Sequence, residues 1–344
     1  MSSDEMTPME RVSATLGHEV PDRVPFFLLL TTHGADEFNV SIEKYFSNPE
    51  MVAEAQIRMQ QKYGHDCYYA FYYASLEAEA WGGNSIFYPD APPNSGRPII
   101  DHFEDIHSLE VPDVAGSAIL KNVLRTIEVL KQNSGNDIPI IGVVMSPFSL
   151  PTMQMGFGPY LDLIYDEPEA FRELMNVNEE FCVQWANLQV EAGATAICYF
   201  DPVSSSTMIP PELYRRTGFK VARKTISQIK APTVTHMASG RCLPVIDDIM
   251  DTGTVAISTS SLEPLSDIKA ACKGKVTVAG NLNGLEMRHW SPQETEDNVR
   301  SAIEEAADDG GFILSDNHGD IPYGVSSEVL MDLSSSAIKW GQYR

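Results

Sequence analysis

Gly311-Phe-Ile-Leu-Ser-Asp-Asn-His-Gly-Asp-Ile-Pro322 is an apolar run that breaks at Asp316, Asn317 and His318 before a loop bearing glycine and proline. It reads as a buried strand that delivers a polar cluster from its carboxyl end. Ala231-Pro-Thr-Val-Thr-His236 has the same form, ending a short apolar run on a histidine ahead of Met-Ala-Ser-Gly-Arg-Cys242. In parallel α/β sheets and barrels, the carboxyl ends of strands are where sites are built.

Working outward, further apolar runs suited to strands are Phe26–Leu30, Cys67–Tyr73, Ile138–Met145, Thr195–Asp201, Val255–Thr259 and Val276–Ala279. Helical spacing fills the gaps. Thr7-Pro-Met-Glu-Arg-Val opens a short N-terminal helix, with Thr7 as N-cap and Pro8 at the first helical position. Further helices are expected within Ser41–Tyr63 and over Ala118–Gln132, Pro168–Ala192, Pro211–Lys230, Val245–Asp251, Ser266–Cys272, Pro292–Asp308 and Ser326–Trp340. Strands alternating with helices predict an α/β fold, a (β/α)8 TIM barrel in one domain over residues 1–344. Gly82-Gly83, Tyr88-Pro89, Pro92-Pro93 and Asn94-Ser-Gly96 break up the segment after the second strand, which predicts a β-hairpin insertion there. No GxGxxG follows a strand and no GxxxxGK[ST] occurs, so dinucleotide and P-loop functions are excluded.

The 344 residues, 43% hydrophobic, are enough for a sizeable core. The 24 basic and 48 acidic residues give a net charge of −24, which repels phosphate backbones and anionic lipid. Neither nucleic acid nor a membrane surface is expected as a partner. The start, Met1-Ser-Ser-Asp-Glu-Met-Thr-Pro, lacks the basic and apolar regions of a signal peptide, and a cytoplasmic location is expected. Five scattered cysteines without a CxxC pair support neither a disulfide framework nor a zinc finger.

The polar residues expected round one mouth of the barrel are Asp201, His236, Asn281, Asp316 and His318, with Cys242 six residues past His236. Histidine, cysteine and aspartate are zinc ligands, and a catalytic zinc takes three protein ligands and leaves one position open. Each residue also has a plain reading: a hydrogen-bonding histidine, a cysteine in the core, an aspartate capping a turn. Asp201 is a candidate acid, base or partner for His236. Glu77 and Glu79 alternate, so on a strand they share a face, and Tyr68 to Tyr73 with Trp81 offer an aromatic wall for a flat ligand.

Taken together, these pieces resemble the uroporphyrinogen decarboxylase superfamily along most of the chain. The matching stretches are Thr7-Pro-Met-Glu-Arg-Val with Asp22-Arg-Val-Pro, Glu77-Ala-Glu-Ala-Trp-Gly82, Asp201-Pro-Val-Ser-Ser with Ile209-Pro-Pro-Glu-Leu-Tyr214, the His236 strand end, Ala279-Gly-Asn281 and Gly311 to Pro322. Glu-Ala-Glu-Ala followed by an aromatic and glycine is similar to the branch of corrinoid-dependent methyltransferases, including methylcobalamin:coenzyme M methyltransferases and O-demethylases. The resemblance implies a barrel, a corrinoid (cobalamin) as co-substrate, free or on a partner protein, and a zinc. It places Glu77, Glu79 and Tyr73 on the cofactor side, Asp201, Asp316 and Asn281 as catalytic residues, and His236, His318 and Cys242 as metal ligands.

The departures are specific. Decarboxylases of the superfamily hold porphyrinogen carboxylates with an Arg-rich loop after the first strand and meet the pyrrole nitrogens with an aspartate after the second. This chain reads Thr31-Thr-His-Gly-Ala and Tyr73-Ala-Ser at those places. Coenzyme M methyltransferases bind zinc through His-x-Cys-Gly and a later cysteine, where this chain has His236-Met-Ala-Ser-Gly240 and Asn317-His318. The expected function is methyl transfer between a small methyl donor or acceptor and the cobalt of a corrinoid, with zinc assistance. The alternatives are a decarboxylase or lyase of the superfamily acting on another small acid, and a metal-free tetrapyrrole-binding protein.

Overall fold

The computed structural model describes residues 5–343; Met1 to Asp4, part of the stretch read above for a signal peptide, lie outside them. The strands are β1 (Tyr68–Tyr69), β2 (Ser85–Ile86), β3 (Asn94–Ser95), β4 (Ile140–Met145), β5 (Ala196–Phe200), β6 (Thr233–His236), β7 (Ala256–Ser258), β8 (Thr277–Leu282) and β9 (Phe312–Asp316). Seven of them form one parallel sheet in the order β1-β4-β5-β6-β7-β8-β9. Strands adjacent in this order are joined through helices, so the fold is α/β with a curled, barrel-like sheet.

The expected first strand, Phe26–Leu30, makes a bridge instead of a ladder. Phe26 forms a single parallel bridge to Leu314 of β9. Pro25 C=O accepts from Leu314 N–H, Phe27 N–H donates to Leu314 C=O, and Phe26 C=O accepts from Asp66 N–H just ahead of β1, each at 2.9 Å. This one segment therefore bonds to both edges of the sheet. Pairing stops early because Pro25 has no N–H to give and Leu30 N–H turns back to Leu28 C=O at 2.9 Å.

Alternation sorts the side chains into two layers. Leu29, Cys67, Tyr69, Ile141, Val143, Ala196 and Cys198, with Phe27, Phe71 and Phe200 against them, form one cluster on the concave side. Phe26, Leu28, Tyr68, Ile140, Val144, Ile197 and Tyr199 belong to the large cluster beneath the helices. All five cysteines are buried and free. Burial raises every one of these thiols, Cys198 to about 12 and Cys272 to about 11.

Two local expectations change. The second strand shrinks to β1, and Ala74–Trp81 coils into a 3₁₀ helix closed by Gly82 at φ 85°. Glu77 and Glu79 therefore do not share a strand face. The insertion is the short antiparallel pair β2–β3, Ser85 opposite Ser95. No helix of the described residues is long and apolar enough to cross a membrane.

At the amino ends of the strands lies a buried ionic cluster. Asp66, fully buried, accepts from Arg11 at 2.6 Å, from Arg23 at 2.7 Å and from Phe26 N–H at 2.9 Å. Arg11 also holds Asp22 at 2.7 Å. The cluster ties the helix Pro8–Leu16, the Phe26 bridge and the entry to β1 to one carboxylate. Removing that carboxylate takes a shared negative partner away from two buried guanidinium groups. Asp66→Ala should lower unfolding free energy by about 3–5 kcal/mol, read from urea titration of the two chains.

Candidate active site at the carboxyl ends of the strands

His236 ends β6 and is buried at 2% exposure. Its ring stacks on Phe200 at 4.7 Å between centroids and 18° between planes. Its Nδ1 accepts the Ala238 N–H at 2.8 Å, which places the ring proton on Nε2. Nε2 has no hydrogen-bond partner among the described residues. Burial, then the neighbouring His318, lowers the His236 pKa to about 3, so the ring is neutral.

The loop after β9 sits directly on this ring. Gly319 has φ 82°, and a Cβ there would lie 2.6 Å from Phe200 and 2.7 Å from His236 Nε2. Only glycine satisfies both the backbone and the space. Six hydrogen bonds hold the loop. Asp316 Oδ2 accepts from the N–H groups of His318 and Gly319, both at 2.8 Å. Tyr69 OH donates to Gly319 C=O at 2.8 Å, the Thr31 hydroxyl donates to Asp320 at 2.6 Å, and Ile321 N–H donates to Leu29 C=O at 2.9 Å. His318 pairs through Nδ1 with the Ser239 hydroxyl at 2.5 Å. The Asp316 Oδ1 atom is buried without a partner.

The two carboxyls of this loop are displaced upward. Burial lifts Asp316 to about 6, and burial with the repulsion of Asp316 lifts Asp320 to about 7. His33, next to this loop and ring-to-ring with Tyr323 at 6.1 Å, is lowered by burial to about 4.

The other sequence candidates lie in different surroundings. Asp201 accepts from the hydroxyls of Ser146 at 2.5 Å and Ser149 at 2.8 Å, which pins the turn after β4; burial raises its carboxyl. Asn281 gives its amide to the carbonyls of Ser260 at 3.0 Å and Glu263 at 3.3 Å, and lines a groove of about 600 Å³ with Glu263, Glu286, Trp290 and Glu305 beside the helix Pro292–Ala306. Cys242 is fully buried in the core, and Glu263 takes the N–H groups of Cys242 and Leu243 at 2.7 and 2.9 Å. Glu77 accepts from Met145 N–H at 2.9 Å under β4, and burial raises it to about 8. Glu79 accepts from Tyr73 OH at 3.1 Å and Ser85 at 2.6 Å, a knot within the insertion. Thr31 and Asp320 carry no site role in the sequence reading, and Tyr69 stands there only as part of an aromatic wall. Asp320 stands in the stretch quoted first, but the contact that matters reaches back 289 positions to Thr31.

This donor set does not fit a zinc ion. His236 carries its proton on Nε2, which lies buried against Gly319, His318 Nδ1 is engaged by Ser239, and the Cys242 thiol belongs to the core. Among the described residues no three His, Cys, Asp or Glu side chains converge.

The raised carboxyls have a measurable sign. A carboxyl whose folded pKa exceeds its unfolded value binds its proton more tightly when folded. The stability it contributes is complete below the unfolded value near 4 and is lost as pH rises through the folded value. For Asp316 and Asp320 the window therefore runs from about 4 to about 6 and 7. Asp320→Asn should flatten the fall in the urea midpoint between pH 4.5 and 7.5; an unchanged slope would show that Asp320 titrates normally.

Comparison with known proteins agrees with this layout. The uroporphyrinogen decarboxylase (URO-D) family matches residues 7–340. The chain is 24% identical over 281 residues to the methylcobamide:CoM methyltransferase MtaA of Methanosarcina barkeri, covering 80% of each. It is 23% identical to the uroporphyrinogen decarboxylase of Idiomarina loihiensis, over 79% of this chain and 77% of the relative. A methyltransferase structure from Methanosarcina mazei superposes with a TM-score of 0.87 at 20% identity, covering 97% of this chain and 99% of that one. The match over nearly all of the described residues settles descent: the chain belongs to the uroporphyrinogen decarboxylase family.

Proposed function

We propose that this chain is a corrinoid-dependent methyltransferase, moving a methyl group between a small molecule and the cobalt of a corrinoid that is free or carried by a partner protein. The whole chain is read as one (β/α)8 barrel domain, with Phe26–Leu30 as its first stave. The observation that carries the reading is the charge at the strand ends. After the first stave stand Thr31, Thr32 and a His33 kept neutral by burial. Arg11 and Arg23 are engaged with Asp66 at the opposite ends of the strands. A porphyrinogen carrying many carboxylates needs several cationic forks; the loop over His236 offers buried carboxyls, and Arg241 alone stands in the loop after β6. Of the two activities named among the relatives, methyl transfer fits these residues.

Displacement at a methyl carbon needs an in-line approach in a dry site. Phe71, Phe200 and the stacked His236 ring supply an apolar wall. His236, its proton fixed on Nε2, is the hydrogen-bond donor that would orient a substrate heteroatom once the Gly319 loop shifts. Asp316 and Asp201 shape the strand ends through the N–H and hydroxyl groups they accept. Because the donor set does not fit zinc, no step is assigned to that metal.

The test is the visible spectrum of a Co(I) corrinoid incubated with the protein and a panel of methyl ethers, thioethers and methylated amines, with thiol-dependent demethylation of methylcobalamin as the reverse arm. Methyl–cobalt formation, or its loss to a thiol, is expected. His236→Ala should reduce kcat/KM roughly ten- to a hundredfold, the loss of one oriented hydrogen bond. Elemental analysis of protein purified without chelator should find well under one zinc per chain. No methyl transfer in either direction, together with release of CO2 from a small carboxylic acid, would replace the proposal with the lyase reading.

A further inference from the structure

The mouth combines an aromatic wall with carboxylates that have no cationic partner. Phe71 and Phe200 lie nearly parallel, 15° between planes and 6.1 Å between centroids, and His236 also stacks on Phe200 at 4.7 Å and 18°. Both phenylalanines pack against the concave layer and are partly buried. Tyr69 is 5.8 Å from Phe71 and gives its hydroxyl to the Gly319 carbonyl, which joins the wall to the Asp316–Asp320 loop. Asp316 and Asp320 accept only from neutral groups, namely two backbone N–H groups and the Thr31 hydroxyl. Among the described residues no lysine or arginine pairs with either carboxyl. Both histidines at the mouth are disfavoured as cations by burial.

We infer that the small-molecule partner is a positively charged methyl donor, a quaternary ammonium or sulfonium, held by the Phe71–Phe200–His236 wall and the Asp320 carboxyl once the Gly319 loop shifts off the ring. The inference rests on the methyl-transfer reading above. Aromatic faces attract such cations through the ring quadrupole, and a desolvated carboxylate adds direct charge attraction. The chemistry of the leaving group agrees with the missing metal donors. When the electron pair of a Co(I) corrinoid attacks a methyl carbon of R–N(CH3)3⁺, the Co–C bond forms as the C–N bond breaks. The C–N pair stays on nitrogen, cobalt is formally oxidised to Co(III), and the product amine is neutral. No proton and no Lewis acid are required, whereas an ether would leave as an alkoxide that needs one or the other. A site with a wall of rings and carboxyls lacking cationic partners suits the first reaction.

The experiment compares choline with its neutral isostere 3,3-dimethylbutan-1-ol. Binding to the full chain is measured by calorimetry at pH 7.5, and methyl–cobalt formation by visible spectroscopy, with trimethylsulfonium and a methoxyarene as further donors. Choline should bind at least about tenfold tighter than the isostere. Phe200→Leu and Asp320→Asn should each remove most of that preference, and an Asp320→Asn chain that melts no lower than the parent at pH 7.5 would show the loss to be local. Choline or trimethylsulfonium should methylate Co(I), the faster of the two identifying the onium class. Equal binding of choline and the isostere, or none, overturns the inference. Methylation by the methoxyarene alone overturns it while the methyltransferase reading stands. Selective choline binding without methylation of Co(I) by any donor overturns the methyltransferase reading and supports the cationic ligand.

Discussion

The fold hangs on a carboxylate at the end of the sheet opposite the site. Phe26 holds β9 through one parallel bridge, too little pairing to fix a stave by itself. Asp66 makes up the difference by gathering Arg11, Arg23 and the Phe26 N–H in a space closed to water. A buried ion pair adds little against a well-packed apolar substitute, but losing one member is severe, so such a cluster enforces one arrangement of the parts it joins. Here it fixes where the first stave enters. That in turn sets where Leu29 and Thr31 emerge, and these two receive Ile321 and Asp320 of the loop over His236.

The mouth is therefore a built structure with few degrees of freedom. The Ala238 N–H decides the tautomer of His236, and Gly319 decides how near the loop comes to that ring. The carboxyls of the same loop bond to neutral donors only, which leaves them short of positive charge in a poorly hydrated place. Each of these features favours a small, charged or polarised guest over a large polyanion. The relatives named above differ in the substrates their names imply, and the charge of the mouth is what separates the readings.

Much of this was legible in the sequence, for physical reasons that also mark its limit. The strand ends at His236 and Asp316–His318 could be read because an apolar run interrupted by polar residues has a strong local signature. The Phe26 stave was visible as an apolar run, but its failure to form a ladder depends on Pro25 and on Leu30 turning back to Leu28. Glu77 and Glu79 alternate as strand residues do, yet their segment closes into a 3₁₀ helix because the glutamates find partners at Met145 and Ser85. Asn281 and Cys242 were placed at the mouth by position alone. Their neighbours Ser260 and Glu263 lie 18 to 21 residues away, and periodicity carries no information about which loop group will be met.

The burial of all five thiols has a practical side. A cysteine reacts as its thiolate, and every one of these is both hidden and driven toward the protonated form. The native chain thus offers electrophiles no competent sulfur. One cysteine introduced at an exposed position such as Met208 or Leu262 would then be the single attachment point for a dye or spin label, with no need to delete a native residue first. Distances from that label could follow the Gly319 loop in the unaltered core.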